Sequence, residues 1–302
     1  MPYTFSWNFG DGTTGSGNPV SHTFSSTGTY TQIVTVTDSI GNVATGKDTV
    51  LVSSIPQPST SQTGLIVPLY IYPSTAWQTL ISLKQAYPQL PMVAVINPNS
   101  GPGSYYDSNY ASGITSLKNA GIQVLGYVWT CYGSRVLRGS GVLNNTSCAP
   151  LGYAYYSGTE DDIDTYVSWY PNIDGILFDE MSAGSGAESY YQTIANYVKS
   201  VGFSLAFANP GTSPTSTYIG IMDNLVIWEN GYMPSVSNLS WTTNYGKNGF
   251  SYVAYSVGGL DSALIASLNP YVGYAYITDA GLPNPYDVLP SYLTQLAQDL
   301  LG

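Results

Sequence analysis

The sequence is poor in the residues that most enzymes use for acid–base and metal chemistry. Among its 302 residues there is one histidine, His22, and there are two cysteines, Cys131 and Cys148. The place of His22 near the N-terminus excludes a Ser-His-Asp triad, a histidine-ligated zinc ion and a histidine general base from the rest of the chain. The cysteines form no Cys-x-x-Cys pair, so a thiolate zinc site is not supported. Acid–base chemistry must therefore rest mainly on carboxylates, with Tyr and Lys as further candidates.

Charge is also scarce. Asp, Glu, Lys and Arg make up 8% of the chain and the formal net charge is −11, whereas charged residues make up roughly 25% of average proteins. The negative charge argues against nucleic acid as a partner, and no apolar run is long enough for insertion into a membrane. The first residues lack the basic start and apolar core of a signal peptide, so we expect any targeting segment to lie outside this chain.

Tyrosine, by contrast, is abundant and occurs 28 times. With so few charges, the polar surface must consist of hydroxyls, amides and phenols. Such groups exchange hydrogen bonds with sugars, and aromatic faces stack on sugar rings. The composition therefore favours an extracellular or cell-surface protein with a polysaccharide as its partner.

The pattern of the chain divides it into three parts. Residues 1–52 alternate β-branched and polar residues between Gly-rich turns, which predicts a small all-β domain. Residues 53–63 are rich in Ser, Thr and Pro and are interpreted as a linker. Residues 64–302 alternate short apolar runs with helical stretches, which predicts an α/β domain.

The α/β part contains eight candidate strands, and we interpret each as followed by a helix. The strands are residues 65–72, 92–97, 122–128, 174–179, 204–209, 224–229, 251–257 and 272–278. Their number, size and near-continuous apolar character predict a (β/α)₈ TIM-type barrel. A doubly wound open sheet is the rival interpretation.

Four acids fall at the ends of these strands, where a barrel carries its chemistry. Asp179 and Glu180 end the fourth strand, Glu229 ends the sixth and Asp279 ends the eighth. Carboxylates that converge on one rim have two ordinary uses, which are the binding of Mg²⁺ or Ca²⁺ and the hydrolysis of glycosides. We favour hydrolysis, with no metal and no cofactor, because aromatic residues also follow the strands.

We expect further side chains near the strand ends to contact the sugar. These candidates are Tyr70, Tyr72, Asn97, Tyr127, Trp129, Tyr132, Arg135, Asn209, Trp228, Tyr232 and Asp279.

Six segments resemble the spherulin-4-like proteins of glycoside hydrolase family 135, in order from Gly64 to about Tyr292. They are "GLIVPLYIYPS", "VINPNSGPG", "GYVWTCYGSR", "WYPNIDGILFDE", "FANPGT" and "ITDAGLPNPYDVLPSYL". The resemblance implies a (β/α)₈ hydrolase that cuts within α-1,4-linked galactosaminogalactan at N-acetylgalactosamine. It also implies that Asp179, Glu180 and Glu229 are the catalytic acids. Two non-enzymatic interpretations stay open, namely a carbohydrate-binding surface protein and a structural component of an extracellular filament.

The segments "YTFSWNFGDGTT", "HTFSSTGTYTQIVTVTD" and "GNVATGKDTVLVS" resemble a PKD domain, an immunoglobulin-like β-sandwich of extracellular proteins. Such domains normally carry further strands before the "SWNFGDG" motif. The chain is therefore either a fragment of a longer protein, or the missing strands come from elsewhere. In the second case the exposed sheet edges would allow self-association.

The segment after the third barrel strand is longer than the family leads us to expect. Cys131 lies at its base and Cys148 within it. We expect a disulfide between them that fastens this loop beside the cleft, and two free buried thiols are the alternative.

Neighbouring residues on a strand point to opposite sides, so Asp179 and Glu180 reach the same rim only if the chain turns there. We predict that Asp179 works with Glu229, and that Glu180 positions the sugar or tunes a neighbour. Trp228 and Tyr232 are expected to desolvate Glu229 and make it the proton donor, which would leave Asp179 ionised.

Overall fold

The computed structural model describes residues 3–20, 22, 24, 28–52, 62–138 and 158–302. The chain divides into two compact units, residues 1–56 and residues 57–302. Most of the predicted linker, residues 53–61, lies outside the described residues.

The N-terminal unit is a four-stranded antiparallel sheet in the order β2-β1-β3-β4. Its strands are β1 Thr4–Asn8, β2 Thr14–Ser16, β3 Gly28–Thr37 and β4 Val43–Val52. The all-β prediction for this region is confirmed. Self-association through its edges stays a prediction, which light scattering can test.

The single histidine serves a turn of this sheet. His22 Nε2 lies 2.7 Å from Asp11 Oδ2, and its ring stacks on Phe9 with the centroids 4.0 Å apart. Asp11 also accepts hydrogen bonds from the hydroxyl and the backbone N–H of Thr13. These bonds, the hydroxyl bond first among them, lower the pKa of Asp11 to about 2.

The second unit is a closed barrel of eight parallel strands. They are β5 Gly64–Leu69, β6 Met92–Ile96, β7 Gln123–Trp129, β8 Gly175–Asp179, β9 Leu205–Ala208, β10 Asn224–Asn230, β11 Phe250–Ala254 and β12 Tyr274–Ile277. The barrel closes where Tyr274 and Ala275 of β12 pair with Gly64 and Leu65 of β5. The predicted TIM-type barrel with a small N-terminal β domain is confirmed, and this closure makes the open-sheet alternative wrong.

The helices of the barrel are α1 Thr75–Ala86, α2 Ser108–Asn119, α3 Thr159–Trp169, α4 Glu188–Ser200, α5 Ser262–Ala266 and α6 Leu293–Leu301. They pack with amphipathic spacing, as α4 shows by burying Tyr191, Ile194, Ala195 and Val198. Side-chain oxygens of Ser74, Asp107 and Asp261 cap α1, α2 and α5.

The prediction that a helix follows every strand is wrong for β9 and β10. The described residues there form only 3₁₀ turns, which are Ser216–Tyr218 after β9 and Val236–Asn244 and Lys247–Gly249 after β10. Both segments are rich in Ser, Thr and Asn and each contains a proline. Short polar side chains compete with the helical backbone for its hydrogen bonds, which explains the turns.

Among the described residues, no helix combines the length and the apolar character needed to cross a bilayer.

Candidate active site

A backbone kink brings the two neighbouring acids after β8 to the same rim. Asp179 is the last residue of the strand, and Glu180 follows in the left-handed conformation with φ 53°. This conformation is strained for a residue with a Cβ atom, and it reverses the alternation of a regular strand. The turn that the sequence required is therefore present.

The kink is held by the segment that follows β7. Thr130 N donates to Asp179 O at 2.9 Å, and Tyr132 N donates to Glu180 O at 2.6 Å. The buried Thr130 hydroxyl lies 2.9 Å from Asp179 O and 3.0 Å from Glu180 O. It also lies 2.9 Å from the Tyr191 hydroxyl of α4, which accepts from Ser182 N at 3.0 Å. Both carbonyls of the kink are thus fixed from a neighbouring strand.

Asp179 is enclosed by hydrogen-bond donors and by a second acid. Tyr127 OH donates to Oδ2 at 2.8 Å, and Asn209 Nδ2 donates to Oδ1 at 2.9 Å. Part of the residue's surface stays accessible, but protein atoms surround the carboxyl closely. Burial, and after it the charge of Glu229, raise the pKa of Asp179 to about 7.

Glu229 reaches the same place from β10. The register of this strand shifts between Val226 and Trp228, after which Glu229 pairs with Val253 of β11. Asn209 Nδ2 donates to Glu229 Oε2 at 2.5 Å, and the Tyr286 hydroxyl donates to Oε1. Gly211 N donates to Asn209 Oδ1 at 2.9 Å and so fixes the orientation of the amide.

One amide nitrogen therefore bridges the two carboxyl groups. The bridged oxygens of Asp179 and Glu229 lie at most 5.4 Å apart, which is the sum of their distances to Asn209 Nδ2. The predicted partners are thus adjacent in space, although they come from different strands. Glu180 stands beside them, and burial raises the pKa of its carboxyl.

Three tyrosines form the wall behind the acids. Tyr70 makes edge contacts with Tyr127 and Tyr286, with centroids 5.5 and 5.4 Å apart. Burial raises the pKa of all three phenols, and the neighbouring acid charges raise it further. Tyr127 and Tyr286 therefore stay protonated and act as hydrogen-bond donors. Tyr286 was not among the candidates, although it lies in the quoted motif "ITDAGLPNPYDVLPSYL".

A small cavity lies inside the barrel next to Glu229. It is lined by Tyr70, Asn209, Glu229, Tyr286 and apolar strand residues, and its volume is about 20 Å³. This volume holds one water molecule at most, so a sugar ring would have to lie above it at the rim.

The structure overturns two of the predicted sugar contacts. Arg135 is 1% exposed, and its guanidinium donates to Asp162 Oδ2 at 2.6 Å and to Trp129 O at 3.0 Å. The guanidinium carbon lies 4.6 Å from the Trp129 ring centroid, and Trp129 is also 1% exposed. Arg135 forms a buried ion pair with Asp162 in the first turn of α3, and the Trp129 ring packs against its guanidinium. A buried charge is costly to leave unpaired, which explains this pairing.

The predicted role of Trp228 is also wrong. Glu229 and Val253 line the barrel interior, so Trp228 lies on the other face of β10. There its ring stacks on Tyr252 with an interplanar angle of 11°, and its Nε1 donates to Tyr232 O at 3.1 Å. Tyr232 itself is 56% exposed.

The other candidates lie at the rim with partners of their own. Asn97 Oδ1 accepts from Gly101 N at 3.1 Å, and Tyr72 OH donates to Asp107 Oδ2 at 3.0 Å. Asp279 accepts from Ser291 N at 3.1 Å and from its hydroxyl at 2.5 Å, so it is not part of the acid cluster. Tyr132 is 64% exposed, and sugar contact by it stays a prediction.

The predicted disulfide falls partly outside the described residues. Cys131 is buried at the start of a 3₁₀ turn after β7, whereas Cys148 belongs to residues 139–157, which are not described. The pairing stays a prediction. We expect no reactive thiol in denatured, unreduced protein, and two reactive thiols in a thiol assay would refute the bridge.

In the part of the chain that is described, no three His, Cys, Asp or Glu residues are grouped as a metal site.

Comparison with known proteins gives two family matches. The model of Spherulin4, the spherulation-specific family 4, matches residues 64–300, and the model of a PKD domain matches residues 1–52. Spherulin-4 of Physarum polycephalum is 35% identical over 251 residues, which cover 77% of this chain and 68% of that protein.

Among solved structures, Aspergillus clavatus Sph3 in complex with GalNAc is similar in fold. The TM-score is 0.65 at 24% sequence identity, and the match covers 80% of this chain and 98% of that one.

Proposed function

Because the chain belongs to the spherulation-specific family 4, we propose that its barrel is a glycoside hydrolase acting outside the cell on an α-linked amino-sugar polysaccharide. The observation that carries this proposal is the bridge of Asn209 between Asp179 and Glu229. Two carboxyl groups held by one donor at a barrel rim form the pair that glycoside hydrolysis needs.

The spacing of the pair supports a reaction with retention of configuration. Retaining glycosidases place their carboxyl groups about 5–5.5 Å apart, whereas inverting enzymes separate them by about 6.5–9.5 Å. The bridged oxygens here lie at most 5.4 Å apart, the sum of the 2.9 and 2.5 Å hydrogen bonds. The Asn209 nitrogen occupies the place between these oxygens that a bridging water molecule would need, so one of the acids would attack the sugar directly.

We assign the role of proton donor to Asp179, whereas the sequence analysis predicted this role for Glu229. Its pKa is raised to about 7 by burial and by Glu229, so it carries a proton at neutral pH for part of the time. Glu229 faces it from β10 with both carboxyl oxygens fixed by hydrogen bonds from Asn209 and Tyr286, so we assign the role of nucleophile to Glu229.

The reaction then has two steps. Asp179 gives its proton to the glycosidic oxygen while a Glu229 oxygen attacks the anomeric carbon. The bond between the anomeric carbon and the glycosidic oxygen breaks, and its electron pair stays on the glycosidic oxygen of the leaving sugar. A water molecule next gives a proton to the Asp179 carboxylate and attacks the anomeric carbon, which releases Glu229. Glu180, beside the pair, would hold sugar hydroxyls in both steps.

The substrate class is inferred from the family resemblance and from the neighbouring fold. The Sph3 structure contains GalNAc, and the rim here offers tyrosines and uncharged polar groups rather than cations. We propose an N-acetylgalactosamine-containing polymer, such as galactosaminogalactan, that is cut within the chain.

The test is hydrolysis of acetylated and de-N-acetylated α-galactosamine polymers by variants of the pair. Asp179→Asn and Glu229→Gln should each lower turnover by about 10²–10⁴-fold while the circular-dichroism spectrum stays unchanged. Asp279→Asn, which alters an acid at the same rim outside the cluster, is the matched control and should stay within about threefold of the parent. Near-parental turnover in either pair variant would refute the assignment.

Azide tests the nucleophile separately. In Glu229→Ala, added azide should enter the vacated place and give a glycosyl azide, which mass spectrometry detects. If the parent protein binds these polymers without shortening them, the barrel is a carbohydrate-binding protein rather than an enzyme.

A further inference from the structure

A second concave site lies between the segments that follow β5 and β6. Tyr70 belongs to the wall behind the acids, and Tyr72, two residues further on, lines a separate cavity of about 200 Å³. The Cα atoms of residues two apart lie at most about 7 Å from each other, so one short stretch of backbone carries a ring of the acid wall and a ring of this cavity. The cavity is formed mainly by the segments that follow β5 and β6 and the start of α2, and Tyr170 at the end of α3 completes it.

The site displays aromatic rings that the fold leaves uncovered. Tyr105 is 70% exposed, Tyr72 is 53% exposed and Tyr106 is 52% exposed. Tyr72 and Tyr105 line the cavity directly, and Tyr106 stacks on Tyr170, another lining residue, with centroids 6.0 Å apart. Large exposed rings grouped at a concave surface are typical of a ligand site.

Tyr72 is held in place although it is exposed. Its hydroxyl donates to Asp107 Oδ2 at 3.0 Å and accepts from Asn109 Nδ2 at 2.6 Å. The ring makes an edge contact with Tyr110, with centroids 5.6 Å apart, and Trp77 Nε1 donates to the preceding Ile71 O at 2.9 Å. A ring that is fixed before binding loses little conformational entropy when a ligand covers it.

The charge of the site narrows the class of ligand. Asp107 is the one charged residue that lines the cavity in the described part of the chain, and the chain as a whole carries a formal charge of −11. Phosphates and other anions would be repelled. A carboxylate beside aromatic faces suits a neutral sugar, whose C–H face packs on a ring while its hydroxyls donate to the acid.

We propose that this cavity, defined by Tyr72, Tyr105 and Asp107, is a distal subsite that binds a second sugar unit of the polysaccharide held at the acids. The subsite rests on the proposed function for its ligand. It contributes affinity for long chains and takes no part in bond cleavage, so its loss raises KM on polymers and leaves kcat nearly unchanged.

The experiment measures binding and turnover separately. In an Asp179→Asn background, which removes cleavage, Tyr72→Ala and Tyr105→Ala should each weaken binding of the acetylated α-galactosamine polymer by about tenfold in affinity electrophoresis. In the parent background, each should raise KM on the polymer and leave turnover of the shortest cleaved oligosaccharide unchanged. Tyr245→Ala is the matched control, because Tyr245 is 41% exposed and contacts Phe250 at the opposite, amino-terminal end of β11.

Polymer affinity within twofold of the parent in both tyrosine variants would overturn the subsite. Tyr105, the most exposed of the three rings, keeps the test valid if Tyr72→Ala unfolds, as thermal melting would show. If the parent protein binds the polymer but cleaves no substrate, the hydrolase proposal fails, while the binding arm still decides the subsite.

Discussion

The protonation of Asp179 governs what the acid pair can do at a given pH. Its pKa is raised to about 7, so the protonated fraction falls as the pH rises through 7. If Asp179 is the proton donor, kcat/KM should fall about tenfold for each pH unit above 7. A pH–rate profile on the polymer measures this, and a flat profile between pH 7 and 9 would contradict the assigned role.

The same shift makes Asp179 costly to stability. Because its pKa in the folded state exceeds the ordinary value of 3.8, the folded protein binds the proton more tightly than the unfolded chain does. The stabilising contribution of this tighter proton binding to the free energy of unfolding is therefore fully present below pH 3.8 and is lost as the pH rises through 7. Asp179→Asn should gain stability relative to the parent, by roughly 4 kcal/mol at pH 8 and by little at pH 4. Denaturant melts at both pH values test this, and equal differences would contradict it.

At the scale of single residues, the sequence predicted three acids that the structure brings together, but it also placed Asp279 with them, and it did not predict what each acid does. Strand ends and elimination of histidine led to Asp179, Glu180 and Glu229. Their roles depend on donors from other strands, such as Asn209, and on the depth of each carboxyl, which no local pattern encodes. Arg135 is an example, because the local sequence around it does not determine whether its guanidinium contacts a sugar or Asp162.

At the scale of elements, the kink after β8 depends on the segment after β7. Thr130→Val should remove the hydroxyl from both kink carbonyls, which keep their backbone N–H donors, so the loss should cost about 0.5–1.5 kcal/mol. We expect kcat to fall by about tenfold or more while KM changes little, because Glu180 and Asp179 lose their alignment. Thr130→Ser keeps the hydroxyl and should restore kcat, and an equal loss in both variants would show a merely structural role.

The elements of the barrel were largely predictable because buried parallel strands are continuously apolar. The strand ends were overestimated after β5 and β11, where Tyr70–Tyr72 and Tyr255–Val257 already belong to the rim loops. The sequence analysis assumed that a helix follows every strand, and this assumption failed after β9 and β10. The polar composition of those two segments favours turns. The rim geometry, which decides the chemistry, is therefore the least predictable part.

At the scale of the whole molecule, the barrel closes on itself within residues 57–302 and contains all the described acids of the site. We expect the fragment 57–302 to fold with a single cooperative transition and to cleave short oligosaccharides within about twofold of the full chain. Circular-dichroism melting and initial rates provide the measurement. Loss of turnover in a folded fragment would show that the N-terminal sheet takes part in catalysis.

The left-handed backbone of Glu180 has an evolutionary consequence. Glycine or asparagine would adopt φ 53° with less strain, so a mutation to either would relax the fold while it deletes an acid. Selection for stability alone would therefore favour glycine or asparagine at this position. A descendant that no longer uses the acid is expected to drift toward a more stable barrel without glutamate at this position.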